Sequence, residues 1–206
     1  MSKRSMICGV GINDADYLVK PRINGTEQRI ACPFYNRWRY MLTRCYSPKE
    51  HIKNPTYKDC EVIDEWKYFS NFKKWMEKEV WEEKHLDKDI LVPGNKIYGP
   101  NTCIFVDAEV NLLLVKCDSR RGEYPVGVSR AIRGNKIWYQ SFVNRKYLGF
   151  FVDVMEAHRF WQIEKSNHIE KVALKQDNII LRDALLRISN NILDDYNKGI
   201  ETKYFR

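Results

Sequence analysis

The chain has 206 residues, 44% of them hydrophobic and 30% charged, which allows a buried core without disulfide or metal staples and excludes a disordered chain. A formal net charge of +8 favours a polyanionic partner. No run approaches the roughly 18 apolar residues of a membrane span, and the opening MSKRSMICGVGIND has no apolar signal core, so the expectation is a cytoplasmic protein with no membrane partner.

The first thirty residues are broken by Asp14, Asp16, Pro21 and the Asn24-Gly25 turn pair. Phe34, Tyr35, Trp38, Met41, Leu42 and Cys45 then recur at helical spacing and predict an amphipathic helix over 33–46. Ser47-Pro48 and Asn54-Pro55 mark a loop, and Glu61, Val62 and Ile63 a short strand. From Asp64 to Trp81 the stripe Phe69, Phe72, Trp75, Met76, Val80 predicts a second helix.

Residues 85–92 read as a strand, Pro93-Gly94-Asn95 as a turn, and 102–106 as a second strand. Asp107 is placed to cap a helix carrying Val110, Leu113 and Leu114. The polar stretch 118–123 reads as a linker. Three short strands follow, about 125–130, 136–143 and 146–150, with Asn135 and Asn144 at the turns. Two helices are expected over about 154–171 and 178–196, and the last residues should fray. The final helix either caps the core or forms a dimer seam. The fold class is therefore α+β in two domains, 1–118 and 119–206.

Of the six cysteines, none forms a C-x-x-C pair, and the histidines are not at zinc-finger spacing. Reduced, buried thiols are the expectation, with a zinc site assembled from Cys45, Cys60 and Cys103 left open.

The runs CPFYNRWRYMLTRCYSP, NPTYKDCEVIDEWKYFSNFKKW and HLDKDILVPGNKIYGPNTCIFVDAEVN, spanning about 32–116, resemble phage HNH-like homing endonucleases. The resemblance implies a helical lead-in followed by a ββα-metal finger that hydrolyses phosphodiester bonds in DNA, by a nick or a break, with Mg2+. It places Asp87 and Asn111 as metal ligands, with Asp89 as a possible further one. It also implies a loop-tying Asn near Asn101 or Thr102. The chain departs from the pattern at Lys88, where active members carry the His base. A lysine is a cation at neutral pH, so Lys88 suits a phosphate contact better than proton abstraction. His85 is an alternative base, because on an extended strand His85, Asp87 and Asp89 share one face. A retained scaffold without catalysis is the competing reading.

The run YPVGVSRAIRGNKIWYQSFVNRKYLGFFVDVMEAHRFWQIEK resembles the Apetala-type domain of plant ethylene-response factors: a three-stranded antiparallel sheet packed on a helix that binds double-stranded DNA. Composition points the same way. Between Ser119 and Phe150 there are seven basic residues (Arg120, Arg121, Arg130, Arg133, Lys136, Arg145, Lys146) against one acidic, Glu123. Lys136, Trp138 and Gln140 share one face of the middle strand. Arginine and glutamine on such a face match guanine and adenine edges in the major groove. Arg37, Arg39, Arg44, Lys73 and Lys74 of the lead-in helices are further phosphate-contact candidates. Three functions follow: a DNA endonuclease, a DNA-binding protein without cleavage, and a phage protein that binds a host protein.

Overall fold

The computed structural model describes residues 6–24, 26–114 and 122–205. The chain divides into two compact units, Met1–Val106 and Asp107–Arg206. Residues 115–121 lie outside the described residues, among them most of the expected 118–123 linker with Arg120 and Arg121, and Cys117.

The first unit is built on aromatic packing. Helix α1 (Pro33–Tyr46) starts with a proline, tolerated there because the first turn has no acceptor for its missing N–H. It buries Tyr35, Trp38, Met41, Leu42 and Cys45. These pack with Trp66, Phe69, Phe72 and Met76 into one cluster. Trp38 Nε1 donates to the Trp66 carbonyl at 2.7 Å, so the buried indole has a partner.

The segment read as loop contains a short helix, α2 (Pro48–Lys53), capped by Ser47 accepting from the Glu50 amide, and a 3-10 turn at Pro55–Tyr57. Proline at a helix start initiates rather than breaks it. The long helix expected from Asp64 is a 3-10 turn, Asp64–Lys67, followed by α3 (Phe69–Met76). Tyr68 between them is extended and bridges Ile12, which interrupts the helical ladder.

Strand β1 (Glu61–Val62) pairs in parallel with β3 (Ile97–Tyr98), and β2 (His85–Asp87) pairs antiparallel with β4 (Ile104–Val106). The strand expected over 85–92 thus stops at Asp87. The Asp87 side chain accepts from the amides of Asp89 and Ile90, closing an Asx turn that competes with extension. Trp75 stacks on Phe105 at 5.5 Å, tying β4 to the aromatic cluster.

The second unit contains α4 (Ala108–Leu113), the antiparallel sheet β5 (Val128–Arg133), β6 (Lys136–Val143), β7 (Lys146–Phe151), and helices α5 (Val154–Ala173) and α6 (Ile179–Asn197). The strand order is β5-β6-β7. Both hairpins have two-residue loops. Gly134 has φ +59, while Asn144 and Arg145 have φ 48 and 67, the positive values such loops need to match strand twist.

Helix α5 covers one sheet face, with Ala157 and Val154 against Val128, Tyr139 and Phe151. Gly127 (φ +82) lies so close to Trp161 that a Cβ there would sit 1.8 Å from the ring. Helices α5 and α6 join through Ser166 and Ser189, whose hydroxyls are 2.8 Å apart. The tail does not fray. Thr202 is 1% exposed, its amide donates to His158 Nε2 at 3.0 Å, and Gln162 Nε2 donates to the Ile200 carbonyl. Among the described residues, no helix is long and apolar enough to cross a membrane.

Candidate nucleic-acid interface and catalytic segment

Cross-strand partners in an antiparallel sheet lie on the same face, so the register sorts the candidate DNA contacts. Ala131 pairs with Trp138, Arg133 with Lys136, and Gln140 with both Ser129 and Phe150. Arg133, Lys136, Trp138, Gln140 and Phe150 therefore share the face opposite α5. Arg130 pairs with Tyr139, which pairs with Phe151 in the α5-covered core. Arg130 thus belongs to the helix side, exposed at the edge strand. Lys146 is on that side too: it pairs with buried Val143, and its ammonium reaches Glu164 of α5 at 3.2 Å. Arg145 is exposed in the β6–β7 turn.

The open face is one-sided in charge. Arg133 and Lys136 are exposed and Trp138 and Gln140 half-buried. Arg133 crosses from β5 to stack on Phe150 of β7, 3.7 Å from the ring centroid. Phe150 ends the third expected strand but was not among the expected DNA contacts, because a phenylalanine in a strand reads first as core.

The residues expected to bind metal take three separate situations. Asp87 ends β2 half-buried, and its Oδ1 accepts from the amides of Asp89 and Ile90, both at 2.8 Å. Its Oδ2 accepts no hydrogen bond among the described residues. Desolvation pushes the Asp87 carboxyl above its ordinary range, against the pull of the two amides and of Lys88. Asp89 lies past the strand end, so it does not continue the His85–Asp87 face. Its Oδ1 is taken by the Lys88 ammonium at 2.6 Å. Asn111 is on α4, in the second unit.

Lys88, expected at a phosphate, is 6% exposed. Its ammonium donates to Asp89 Oδ1 and, at 3.0 Å, to the Asn95 carbonyl. Burial alone would lower its pKa, but the hydrogen bond and charge of Asp89 outweigh that and leave it raised. The raised pKa favours the charged ammonium at neutral pH, which disfavours proton abstraction by Lys88. Asn95 completes the clasp: its Nδ2 donates to the carbonyls of Lys88 (2.9 Å) and Ile97 (2.7 Å). The loop-tying Asn is therefore Asn95, while Thr102 donates to the Ile97 carbonyl and Asn101 is exposed. The signal was present in the Gly94-Asn95 pair, which was read only as a turn.

His85 is exposed and shares the Asp87 face of β2. Cys45, Cys60 and Cys103 are buried free thiols, and desolvation pushes Cys45 and Cys103 up to about 12. Among the described residues, no group of three or more His, Cys, Asp or Glu side chains is arranged to hold a metal ion. One hard cation would find a suitable oxygen at Asp87 Oδ2, whereas Asp89 presents it with the Lys88 ammonium.

The lead-in cations are partly engaged as well. Arg44 packs over Tyr57 at 5.4 Å, and Lys73 lies over Tyr17 at 5.0 Å and pairs with Glu77. Lys74 is exposed, and Arg37 is half-buried. A scan against protein-family models, a search of curated proteins and a search of solved structures each returned no match for this chain.

Proposed function

We propose that this protein binds double-stranded DNA with the open face of its three-stranded sheet and acts as an HNH-like endonuclease of the homing type. The observation that carries the DNA reading is that face: Arg133, Lys136, Trp138 and Gln140 lie together on a sheet backed by a helix, with Arg145 at its rim. A β-sheet can lie in the major groove, where arginine and glutamine read base edges and the remaining cations hold phosphates.

Hydrolysis is assigned to the segment around Asp87. A bound Mg2+ would supply charge to the scissile phosphate and the leaving oxygen. Asp87 would hold it through Oδ2. His85, exposed beside Asp87, is the side chain able to take a proton from water. Lys88 and Asn95 fix the loop whose amides orient Asp87. Binding without cleavage is the second reading, and it is favoured by one observation: Lys88 is buried in a structural clasp where the resembling enzymes carry their base.

The test measures duplex binding by anisotropy across salt concentration, and supercoiled-plasmid nicking with Mg2+ or EDTA. DNA binding predicts a log–log salt slope of about −3 or steeper, from about −0.9 per neutralised phosphate. Metal-dependent nicks lost in Asp87→Ala support the endonuclease. Salt-sensitive binding with intact plasmid supports the second reading. Absence of salt-sensitive binding overturns both and leaves a protein partner.

A further inference from the structure

His158, in the second turn of α5, is 0% exposed. Its Nδ1 lies 2.9 Å from the Val126 carbonyl oxygen, just before β5, and its Nε2 lies 3.0 Å from the Thr202 amide nitrogen in the C-terminal tail. A carbonyl only accepts and an amide N–H only donates, so Nδ1 carries the hydrogen and Nε2 the lone pair. Turning the ring over would put carbon at both places. The fold therefore admits the neutral imidazole in one tautomer. A proton on Nε2 would point at the Thr202 N–H, while the bond to Val126 would remain. Trp161 closes over the ring, stacked on it at 5.2 Å and 14°.

We propose that His158 is a proton-operated latch: neutral, it fastens residues 200–205 onto α5, and protonated, it keeps Val126 and lets the tail go. The tail turns back after α6 at Gly199 (φ +68), and Gln162 Nε2 donates to the Ile200 carbonyl at 2.9 Å and to Thr202 Oγ1 at 3.0 Å. Those bonds involve no group that titrates, so His158 alone makes this anchorage depend on pH. Release bares the α5 face where Phe205 lies 6.3 Å from Trp161. With the tail open, the ring can take a proton below the ordinary histidine value of about 6.5, and the latched geometry excludes that proton. The latch is therefore complete at neutral pH and weakens as pH falls below about 6.5, by up to about tenfold per unit for one proton. The charged groups on the surrounding elements are Arg159 and Lys165 on α5, Asp195 on α6, Glu123 before β5, and Glu201 and Lys203 in the tail, with the phenols of Tyr124, Tyr196 and Tyr204. The latch is independent of the DNA-binding reading above.

The experiment is NMR of the full-length protein from about pH 5 to 8. It reads the imidazole nitrogens and, in the same samples, amide exchange corrected for its intrinsic pH dependence. The nitrogens report the ring itself, so titration of a neighbouring carboxylate does not pass for it. His158→Phe identifies the His158 signals, and if that variant does not fold, His51→Gln, His85→Gln and His168→Gln identify them by elimination. At neutral pH His158 should read as the Nδ1–H tautomer with the Thr202 amide protected. On acidification the ring should become imidazolium as Thr202 loses protection by about tenfold per pH unit, while the amides of β6 stay protected. A folded His158→Phe, which offers no acceptor, should leave the Thr202 amide unprotected at every pH. An Nε2–H tautomer at neutral pH overturns the latch. So does a protected Thr202 beside a charged ring, or a ring that stays neutral with the tail protected throughout. Joint loss of protection in β6 and the tail also overturns it, as acid unfolding of the whole unit.

Discussion

Replacing Lys88 by methionine separates a loop clasp from a catalytic or phosphate-binding lysine. Methionine keeps the packing of the aliphatic stem and removes the ammonium, so no large cavity term enters. The Asn95 carbonyl loses its donor, which costs about 1 kcal/mol. The pair with Asp89 adds less than about 1 kcal/mol, because Asp89 is 54% exposed and its charge is screened. The sum of about 1–2 kcal/mol should lower the urea midpoint of the first unit by roughly 0.5–1 M. The effect has a sign in pH. The Lys88 pKa is raised above 10.5 in the folded chain, so its contribution is complete below that unfolded value. It disappears as pH rises through the folded value. The gap between wild type and Lys88→Met should therefore be constant from pH 6 to 9 and close only at alkaline pH, beyond the ordinary lysine range. Urea melts of both proteins across that range, followed by tryptophan fluorescence, measure it. Equal midpoints at pH 7, with reduced DNA affinity in the variant, would overturn the clasp and return Lys88 to a phosphate.

Asp87→Asn keeps an oxygen for the amides of Asp89 and Ile90 but removes a desolvated charge. Because the folded Asp87 pKa is raised, the native state is penalised as pH rises through that value, so the variant should melt higher than wild type at pH 7 and no higher at pH 3, while Mg2+-dependent nicking is lost. Gly127→Ala places a Cβ 1.8 Å from Trp161 at φ +82 and should destabilise the second unit by roughly 2–5 kcal/mol, seen as loss of its thermal transition. Arg145 has φ 67 in a two-residue hairpin loop, so Arg145→Gly should raise stability by about 1 kcal/mol; if Arg145 holds a phosphate, the same change flattens the salt slope of DNA binding by about one unit.

Periodicity located the elements whose burial is set by their own residues. Helix α1, strands β6 and β7 and both C-terminal helices follow from the sequence pattern, and the turns from Asn135 and Asn144, while β5 starts about three residues later than expected. It failed where a side chain bonds its own backbone. Asp87 stops β2 by accepting two amides, and Ser47 and Pro48 start a helix where a loop was expected. It also failed where a distant segment supplies the partner: Tyr68 breaks the second helix through Ile12, and the tail is held by His158 and Gln162. The candidate site was legible in residue type, since Asp87 and the basic sheet were named from sequence. Face was less legible. Arg130 and Lys146 carry the right charge but fall on the side of α5, because a strand reverses the face of alternate residues and only register fixes which set is covered.

The two sites differ in what holds their charges, and this bears on whether the scaffold cleaves DNA. On the sheet Arg133 and Lys136 are exposed, and their charges cost the fold little. At Asp87 the reverse holds. The ammonium nearest to it is turned onto Asp89, and only backbone amides reach Asp87 Oδ1. A chain that needed only the turn would do as well with asparagine, whose carbonyl accepts the same two amides without a desolvated charge. The proposed metal reading gives the carboxylate a further use, toward a cation arriving at Oδ2. Calorimetric titration of Mg2+ into wild type and Asp87→Asn tests this without any DNA: binding present in the first and absent in the second supports a working metal site, and equal heats in both would leave Asp87 a turn residue and the protein a binder.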